Sequence, residues 1–296
     1  MKSGFAGIVG RPNVGKSTLM NALVGEKVAI TSGKAQTTRN AIRGIYNDDE
    51  CQIVFIDTPG IHKPKNKLGA YMTKTALSTF NEVDVILFIV DDKLSNGPGD
   101  KYILELLKKV KNTPKFLIIN KTDMIEPDEY KAIYDEYEAV GIFTDIIGTC
   151  ALKGTNTDVC IEKIRPFIEE GPMYFPRDII TDNPMRFLIS EIIREKTLLY
   201  LNEEIPHGIA VEIESYEERP ECTNIGAVIY CEKSSHKGII IGAKGRKLKG
   251  IGKAARLEME PFIGSKVFLE LWVKVKENWR ESDIAISNFG YRDDIS

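Results

Sequence analysis

Short, nearly continuous apolar runs alternate with longer segments of helical periodicity over the first 170 residues. The apolar runs are rich in Ile, Val, Leu and Phe and lie at residues 4–9, 52–56, 85–90, 116–119 and 145–149. The helical patterns lie at residues 17–24, 68–80, 101–110, 129–140 and 159–167. Strands that are buried on both faces of a sheet have this apolar character. The alternation therefore predicts an α/β domain with a doubly wound, mostly parallel sheet.

The pattern changes after residue 170. Residues 171–183 are rich in Pro and Gly and predict a linker. A helix then follows, with Asn183 as its predicted cap and Pro184 in its first turn. Further elements are strands at 208–215 and 223–231, a Gly-rich loop at 242–245, a helix at 247–258 and a strand at 266–275. We expect a domain at 1–170, a linker at 171–183, a smaller α+β domain at 184–280 and a tail at 281–296 with no assigned role.

Charge is distributed unevenly along the 296 residues. The formal net charge of −3 selects no class of partner. Between Ser234 and Arg280, however, eleven Lys and Arg residues stand against four Asp and Glu residues. This local excess predicts a face of the C-terminal domain that binds a polyanion.

Cysteine, histidine and hydrophobic patterns exclude several classes of protein. The five cysteines include no C-x-x-C pair, and the three histidines lie far apart, so a zinc site is not predicted. No apolar run reaches the roughly 18 residues of a membrane span. We expect reduced thiols and a cytoplasmic location.

The segment from Gly10 to Ser17, GRPNVGKS, matches the phosphate-binding pattern G-x-x-x-x-G-K-[ST] between a predicted strand and a predicted helix. Its glycines let backbone N–H groups surround phosphates at a helix N-terminus. Lys16 is expected to bridge the β- and γ-phosphates, and Ser17 to bind Mg²⁺. The alternative is a glycine-rich turn that matches by chance. The predicted nucleotide contacts of this loop are Gly10, Asn13, Val14, Gly15, Lys16, Ser17 and Thr18.

Three further motifs each follow a predicted strand. Asp57 is expected to hold Mg²⁺, and the N–H of Gly60 to approach the γ-phosphate. Asp123 can accept two hydrogen bonds from guanine, a donor pair that adenine lacks, and so favours GTP over ATP. The predicted contacts from these motifs are Asp57, Thr58, Pro59, Gly60, Asn120, Lys121, Asp123, Cys150, Ala151 and Leu152. In this order the motifs resemble the translation-factor class of P-loop GTPases, which implies GTP and GDP as ligands.

The resemblance to that class also indicates a nucleotide-sensing switch segment and the lack of the usual water-positioning residue. In Gln36-Thr37-Thr38-Arg39, Thr38 is the expected γ-phosphate-sensing Mg²⁺ ligand, with Thr37 as the alternative. The predicted catalytic set is Lys16, Thr38 and Gly60, and the predicted metal set is Ser17, Thr38 and Asp57. Ile61 stands where many GTPases have a water-positioning glutamine, so we expect slow intrinsic hydrolysis. Candidate substitutes are a K⁺ ion bound by Asn13 and, with less weight, the side chain of Arg11.

The glycine-rich loop of the second domain has the G-x-x-G form that holds a nucleic-acid backbone in KH domains. A basic helix follows it, and the element order fits a type II KH domain that binds single-stranded RNA. The alternative is a protein-interaction module with a solvated basic helix. Trp272 is expected in the core, whereas a base-stacking role for Trp279 is open. The predicted RNA contacts are Gly242, Ala243, Lys244, Gly245, Arg246, Lys247 and Lys249.

A GTPase domain with these switch motifs, followed by a KH domain, resembles the Era family over nearly the whole chain. The resemblance implies a ribosome-assembly GTPase that binds the 3′ end of 16S rRNA and the small (30S) ribosomal subunit. It also implies peripheral association with the inner face of the membrane, and we expect a monomer. Cys150 departs from the family, where serine is usual. The alternatives are an RNA-binding scaffold with a near-silent GTPase domain and a related GTPase that acts on another RNA.

Overall fold

The strands predicted before residue 170 form one six-stranded sheet in the computed structural model, which describes residues 1–34, 36–91, 97–201 and 205–291. The strands are β1 (Lys2–Gly10), β2 (Ile42–Asn47), β3 (Cys51–Asp57), β4 (Val85–Val90), β5 (Lys115–Ile119) and β6 (Asp145–Gly148). Their order is β2-β3-β1-β4-β5-β6, and every neighbouring pair is parallel except β2 and β3. The predicted α/β class is therefore confirmed, with one antiparallel edge strand, β2, that the apolar pattern does not reveal.

The helices that follow these strands cover the apolar faces of the sheet. They are α1 (Lys16–Val24), α2 (Lys67–Ser78), α3 (Pro98–Leu107), α4 (Pro127–Glu138) and α5 (Thr157–Ile164). Strands β3, β4 and β5 are buried along their whole length, which explains their lack of polar alternation. Because parallel strands end at the same edge of a sheet, the residues directly after β1, β3, β4, β5 and β6 lie at one edge.

The chain divides into two units. The first comprises Met1–Ala29, Thr38–Lys65 and Gly69–Asp182, and the second comprises Ile30–Thr37, Asn66–Leu68 and the residues from Asn183 onward. Most of the predicted linker packs within the first unit. The Gln52 side chain accepts hydrogen bonds from the N–H groups of Tyr174 (2.8 Å) and Phe175 (3.0 Å). The Ile45 N–H donates to the Ile180 carbonyl at 2.8 Å.

The C-terminal part of the second unit is an α+β domain. Its elements are α6 (Met185–Leu199), β7 (Ala210–Glu217), β8 (Cys222–Cys231), α7 (Ser234–Ile241), α8 (Arg246–Ile263), β9 (Lys266–Val275) and α9 (Asp283–Asn288). The sheet order is β7-β8-β9, with β7 antiparallel and β9 parallel to β8. Apolar side chains of α6, α7 and α8, including Ile193, Ile240 and Ile251, form its core with the sheet.

Two local features differ from the sequence-based expectations. Helix α6 begins at Met185 with Pro184 as its N-cap, so Asn183 is not the cap and Pro184 is not in the first turn. Proline suits this position because its fixed φ, here −58°, and extended ψ lead into the helix. Helix α7 was not predicted, since eight residues with three consecutive isoleucines give no clear helical period. None of the helices in the described ranges combines the length and apolar character of a membrane span.

Trp272 lies outside its expected core position, and Trp279 is buried instead. Trp272 was predicted in the core, but it lies on β9 with 44% of its surface exposed. It shares its face of β9 with Glu270 and Lys274, both exposed. Trp279 is fully buried, and its indole Nε1 donates to the Gly208 carbonyl at 2.9 Å. A buried indole cannot stack on a base, so the open stacking role of Trp279 is excluded.

We expect Trp279→Phe to lower the free energy of unfolding of the C-terminal domain by about 2 kcal/mol, because it removes buried ring area and leaves a buried carbonyl without its donor. The matched control, Trp272→Phe, changes an exposed ring and should cost less than about 0.5 kcal/mol. Urea unfolding followed by circular dichroism measures both. Equal effects of the two substitutions on the free energy of unfolding would contradict the assignment of Trp279 to the core and Trp272 to the surface.

Candidate nucleotide site and nucleic-acid groove

The four predicted nucleotide motifs meet at the carboxyl edge of the six-stranded sheet. The phosphate loop follows β1, and Asp57 is the last residue of β3. Asn120 directly follows β5, and Cys150 lies two residues beyond β6. Spacing in the sequence brings none of these together. The parallel sheet does, and it forms the crevice in which α/β folds bind ligands.

The phosphate loop has the backbone of an anion site. Gly15 caps α1 with a left-handed φ of 101°, and Asn13 is also left-handed with φ 68°. The Lys16 Nζ lies over the loop and donates to the carbonyl oxygens of Gly10 (3.3 Å) and Arg11 (2.8 Å). Val14 is buried beneath the loop, and Thr18 is half-buried in the first turn of α1. The helix N-terminus and the lysine supply the positive field that phosphates need.

Three oxygen atoms converge beside this loop. The Ser17 Oγ donates to the Asp57 Oδ2 at 2.5 Å. The Thr38 Oγ1 lies 3.1 Å from the same carboxylate oxygen and 2.9 Å from the Ser17 Oγ. By contrast, the Thr37 Oγ1 contacts the Lys34 carbonyl (2.6 Å) and the Ser32 Oγ (2.8 Å). The geometry therefore favours Thr38 over Thr37 as the partner of Asp57.

The charges of this site are buried at a cost. Burial lowers the pKa of Lys16 to about 8, against the opposing effect of Asp57. Burial raises the pKa of Asp57, although Lys16 and the hydroxyl groups counteract it. The Asp57 Oδ1 is buried without a hydrogen-bond partner among the described residues. An unsatisfied carboxylate oxygen next to two hydroxyl oxygens matches the ligand preference of a hard divalent cation.

The Asp57-Thr58-Pro59-Gly60 segment lies against the phosphate loop. The Thr58 Oγ1 donates to the Ile8 carbonyl at 2.7 Å, and Pro59 is buried. A side chain on Gly60 would place its Cβ 2.7 Å from the Pro12 nitrogen, so only glycine permits this approach. The side chain of Ile61 is buried in the core, and its N–H donates to the Gly10 carbonyl at 3.1 Å. Ile61 thus offers no group that could orient water.

At the opposite end of the site, Asn120 connects three loops. Its Nδ2 donates to the Val14 carbonyl at 2.9 Å. Its Oδ1 accepts from the Thr149 Oγ1 (3.2 Å) and from the Ala151 N–H (3.0 Å). The N–H of Ala151, one of the predicted nucleotide contacts, therefore has a protein partner, and its contact with the nucleotide stays a prediction.

Asp123 has two polar neighbours. The Cys150 thiol, and then Lys153 with its Nζ at 3.0 Å, hold the pKa of this carboxylate below its usual value. Asp123 is thus kept ionised, as it must be to accept two hydrogen bonds from guanine. Lys121 has a left-handed φ of 62° and directs its Nζ to Asp91 at 3.1 Å. Leu152 is 82% exposed.

The predicted G-x-x-G loop lies between α7 and α8 in the second unit. Gly242, Lys244 and Gly245 have left-handed φ values of 70°, 51° and 73°. A side chain on Gly242 would place its Cβ 2.7 Å from the Lys247 Cβ. Ala243, Lys244, Arg246 and Lys249 are exposed. The loop thus presents cations on a backbone that glycine keeps open.

A groove of about 500 Å³ runs from this loop along α8 and β9. Apolar side chains line it, and three cations of α8 flank them. The lining residues are Gly245, Leu248, Lys249, Gly252, Lys253, Arg256, Phe268, Leu269 and Leu271. An apolar surface beside a basic edge suits unstacked bases and their phosphates.

Comparisons with known proteins agree with the presence of both domains. A model of the family described as 50S ribosome-binding GTPase matches residues 5–121, and a KH domain model matches residues 204–280. The protein GTPase Era of Clostridioides difficile is 60% identical over 295 residues, which cover 99% of each chain. GTPase Era of Alkaliphilus metalliredigens is 57% identical over 98% of this chain and 99% of its own.

The chain belongs to the Era family of GTPases. Two solved Era structures share its fold, each with a TM-score of 0.95 over 98% of this chain and 99% of theirs. One is a single-substitution variant of Aquifex aeolicus Era bound to GDP·AlF₄⁻, at 42% identity. The other is Era in complex with MgGDPNP and nucleotides 1506–1542 of 16S ribosomal RNA, at 43% identity. The predicted GTPase activity and the predicted KH domain are both confirmed.

Sequence reasoning missed part of this Era-family site. Asp91 and Asp100 were not predicted, because a single aspartate after a strand or in a first helical turn carries no motif. Phe268 and Leu271 of the groove were also missed. The alternation of β9 assigns them to opposite faces, so only the tertiary fold shows that both line the groove.

We expect the affinity for GDP to fall as the pH rises above 8. The Lys16 ammonium is lost near a pKa of about 8 in the free protein, whereas bound phosphates favour the charged form and raise that pKa. Binding above pH 8 must then take up a proton, so the Kd should rise by up to about tenfold per pH unit. Fluorescent GDP titrations between pH 7 and 9 measure this dependence.

The matched control is Lys16→Arg, whose guanidinium keeps its charge over this range. The affinity of this variant for GDP should be lower than that of the wild type but should vary less with pH. Any titration of the guanine ring affects both proteins equally. Parallel pH profiles for the two proteins would contradict a titrating Lys16.

Proposed function

We propose that this Era-family GTPase is a molecular switch that binds the 3′ end of 16S rRNA and the small ribosomal subunit and assists its assembly. The observation that carries the proposal is the groove beside Gly245, which joins an apolar surface to a row of α8 cations. The Era complex with nucleotides 1506–1542 of 16S rRNA supports the same class of ligand. The nucleotide site in the same chain supplies the switching chemistry.

Magnesium is the proposed metal of the nucleotide site. The convergent oxygens of Ser17, Thr38 and Asp57 support this assignment, as does the buried Asp57 Oδ1, which has no hydrogen-bond partner in the described part of the chain. The Era relative bound to MgGDPNP supports it as well. When bound, the ion supplies charge that stabilises the transferring phosphoryl group. Lys16 binds the phosphates, Gly60 presents its N–H to the γ-phosphate, and Asp123 selects guanine.

Hydrolysis is proposed to be slow without a stimulus. The side chain at the position after Gly60 is the buried Ile61, which supplies neither a hydrogen-bond donor nor an acceptor. The proposed substitute is a K⁺ ion held at Asn13, whose exposed side chain lies in the phosphate loop. Potassium would then take part of the role that an arginine finger has in other GTPases.

We further propose that nucleotide state controls access of RNA to the groove. Within the second unit, α6 holds Thr31 and Thr37 through hydrogen bonds. The Thr31 N–H donates to the Glu195 Oε1 at 2.7 Å, and the buried Arg194 guanidinium donates to the Thr37 carbonyl. Lys196 in turn pairs with Glu195 and with Glu258 of α8. Thr38 directly follows Thr37 in the chain. A contact of Thr38 with bound GTP is therefore expected to change the hydrogen bonds and ion pairs that connect Thr37 and Thr31 through α6 to α8.

RNA that carries the 3′ end of 16S rRNA should bind this protein and raise its rate of GTP hydrolysis. Gly245→Asp should lower the RNA affinity about tenfold and abolish the stimulation, because it strains a left-handed position and adds a negative charge beside phosphates. Filter binding and phosphate release, each with and without RNA, measure the two effects.

Gly264→Asp is the matched control. Gly264 has the same φ of 73° and the same open surroundings, but it closes the far end of α8. This variant should keep both RNA binding and stimulation. Equal RNA binding by the wild type and Gly245→Asp would refute the assignment of the groove as the RNA site. RNA that binds without stimulating hydrolysis would favour a scaffold with a near-silent GTPase domain.

Turnover should be several-fold higher in KCl than in NaCl at the same ionic strength, since K⁺ adds positive charge near the transferring phosphate. Asn13→Gly should remove the difference, because glycine keeps the left-handed backbone and loses the side-chain oxygen. Steady-state phosphate release gives both rates. Equal wild-type rates in the two salts would reject the potassium site.

The identity of the RNA separates this proposal from a related GTPase with another target. The family resemblance favours the small subunit, a monomeric state, and a cytoplasmic protein that associates peripherally with the inner face of the membrane. Crosslinking followed by sequencing of the recovered RNA decides between small-subunit rRNA, large-subunit rRNA and tRNA.

A further inference from the structure

An ionic cluster with two buried carboxylates joins the phosphate loop to the guanine motif in the first unit. We call Arg11, Asp91, Asp100 and Lys121 the Asp91 cluster. Asp91 directly follows β4 and is 5% exposed, and Asp100 lies in the first turn of α3 and is 1% exposed. Carboxylates so deeply buried need cationic partners, because an unpaired buried charge is costly.

Both carboxylates bind the same guanidinium. The Arg11 Nη2 donates to the Asp91 Oδ1 at 2.8 Å, and the Arg11 Nε donates to the Asp100 Oδ1 at 2.8 Å. A side chain on Gly99 would place its Cβ 2.9 Å from the Arg11 Cδ, so glycine makes room for the arginine. This arrangement holds Arg11 away from the role of an internal arginine finger.

The position of Arg11 matters to the phosphate end of the site. Its main-chain carbonyl accepts the hydrogen bond from the Lys16 Nζ at 2.8 Å. The next residue, Pro12, is the surface against which Gly60 packs. Fixing the Arg11 side chain therefore fixes the backbone that supports both the phosphate-binding lysine and the γ-phosphate-sensing glycine.

The second oxygen of Asp91 serves the other end of the site. The Lys121 Nζ donates to the Asp91 Oδ2 at 3.1 Å, and Lys121 belongs to the Asn120-Lys121-Thr122-Asp123 guanine motif. One carboxylate thus fastens the phosphate loop through Oδ1 and the base motif through Oδ2. Asn120 and Asp123 lie on either side of the held lysine in the chain.

We propose that Asp91 is a positioning residue that couples the phosphate loop to the guanine motif, so that the two ends of the nucleotide site act as one unit. Arg11 and Lys121 then influence nucleotide binding jointly through their shared carboxylate. Two residues in one hydrogen-bonded ionic network are energetically coupled, whereas distant residues with separate partners have additive effects.

A double-mutant cycle tests the coupling. The Kd for GDP is measured for the wild type, Arg11→Met, Lys121→Met and the double variant. We expect the double variant to lose less affinity than the product of the single losses, by at least about threefold. In an Asp91→Asn background the free-energy losses of the two single substitutions should add, so that the losses in affinity multiply. Multiplicative losses in the wild-type background would overturn the proposal.

Lys153 provides a matched control. It lies at the base end and binds Asp123 at 3.0 Å, outside the Asp91 cluster. The cycle of Arg11→Met with Lys153→Met should therefore be additive. If both cycles show the same coupling, the effect is a general loosening of the site, and the proposal fails.

A second readout separates positioning from simple structural support. Inosine diphosphate differs from GDP only by the missing 2-amino group of the base. The affinity for GDP divided by the affinity for inosine diphosphate therefore reports on the guanine end of the site. We expect Arg11→Met, at the phosphate end, to lower this ratio at least about threefold. Asp91→Glu should restore the ratio that Asp91→Asn loses. An equal loss of both affinities would assign Arg11 and Asp91 to loop stability alone, and thermal unfolding of every variant identifies any that fails to fold.

Discussion

The hydrogen bonds of Asn120 hold the nucleotide site together. Its amide nitrogen binds the Val14 carbonyl of the phosphate loop, and its amide oxygen binds Thr149 and the Ala151 N–H after β6. A side chain on Gly15 would place its Cβ 2.2 Å from that amide nitrogen, so the glycine is required by Asn120 as well as by the phosphates. Because Asn120 is almost fully buried, each of these groups would be left unsatisfied without it. The three loops can therefore take their positions only together, once the parallel sheet has brought them to one edge.

The parts of the fold that could be predicted from sequence are those in which one local pattern has one structural solution. Strands β3, β4 and β5 are apolar throughout because they are buried on both faces, and the motifs at their ends follow from strand–loop–helix order. Strand β2 was missed because an edge strand of mixed polarity, with Arg43 exposed, does not differ from a loop. Helix α7 was missed because three consecutive isoleucines fit a strand equally well.

The candidate site also contains residues that a local sequence pattern predicts and residues that only the tertiary fold reveals. Lys16, Ser17, Asp57 and Asp123 were predictable because their chemistry demands a residue type at a fixed place after a strand. The Asp91 cluster was not, since Arg11 follows β1, Asp91 and Asp100 follow β4, and Lys121 follows β5, so that only the β1-β4-β5 order of the sheet brings them together. The exposed Trp272 shows a different limit of prediction from sequence. The alternation of β9 places Trp272 with Glu270 and Lys274, a signal that outweighs the general preference of tryptophan for the core.

The electrostatics of the site indicate where its turnover can be controlled. Lys16 and Asp57 are both buried, and burial shifts the pKa of each toward the neutral form. Phosphate and a divalent cation supply the counter-charges that this pair lacks, so ligand binding favours the ionised site. Water positioning is different, because the Ile61 side chain turns into the core and offers no group to the attacking water. Nucleotide binding thus depends on the loops that the hydrogen bonds of Asn120 and Asp91 connect, whereas the rate of hydrolysis is proposed to depend on what is supplied beyond Gly60. Under the proposed function, the protein holds its nucleotide state until another molecule, the proposed RNA, completes the site.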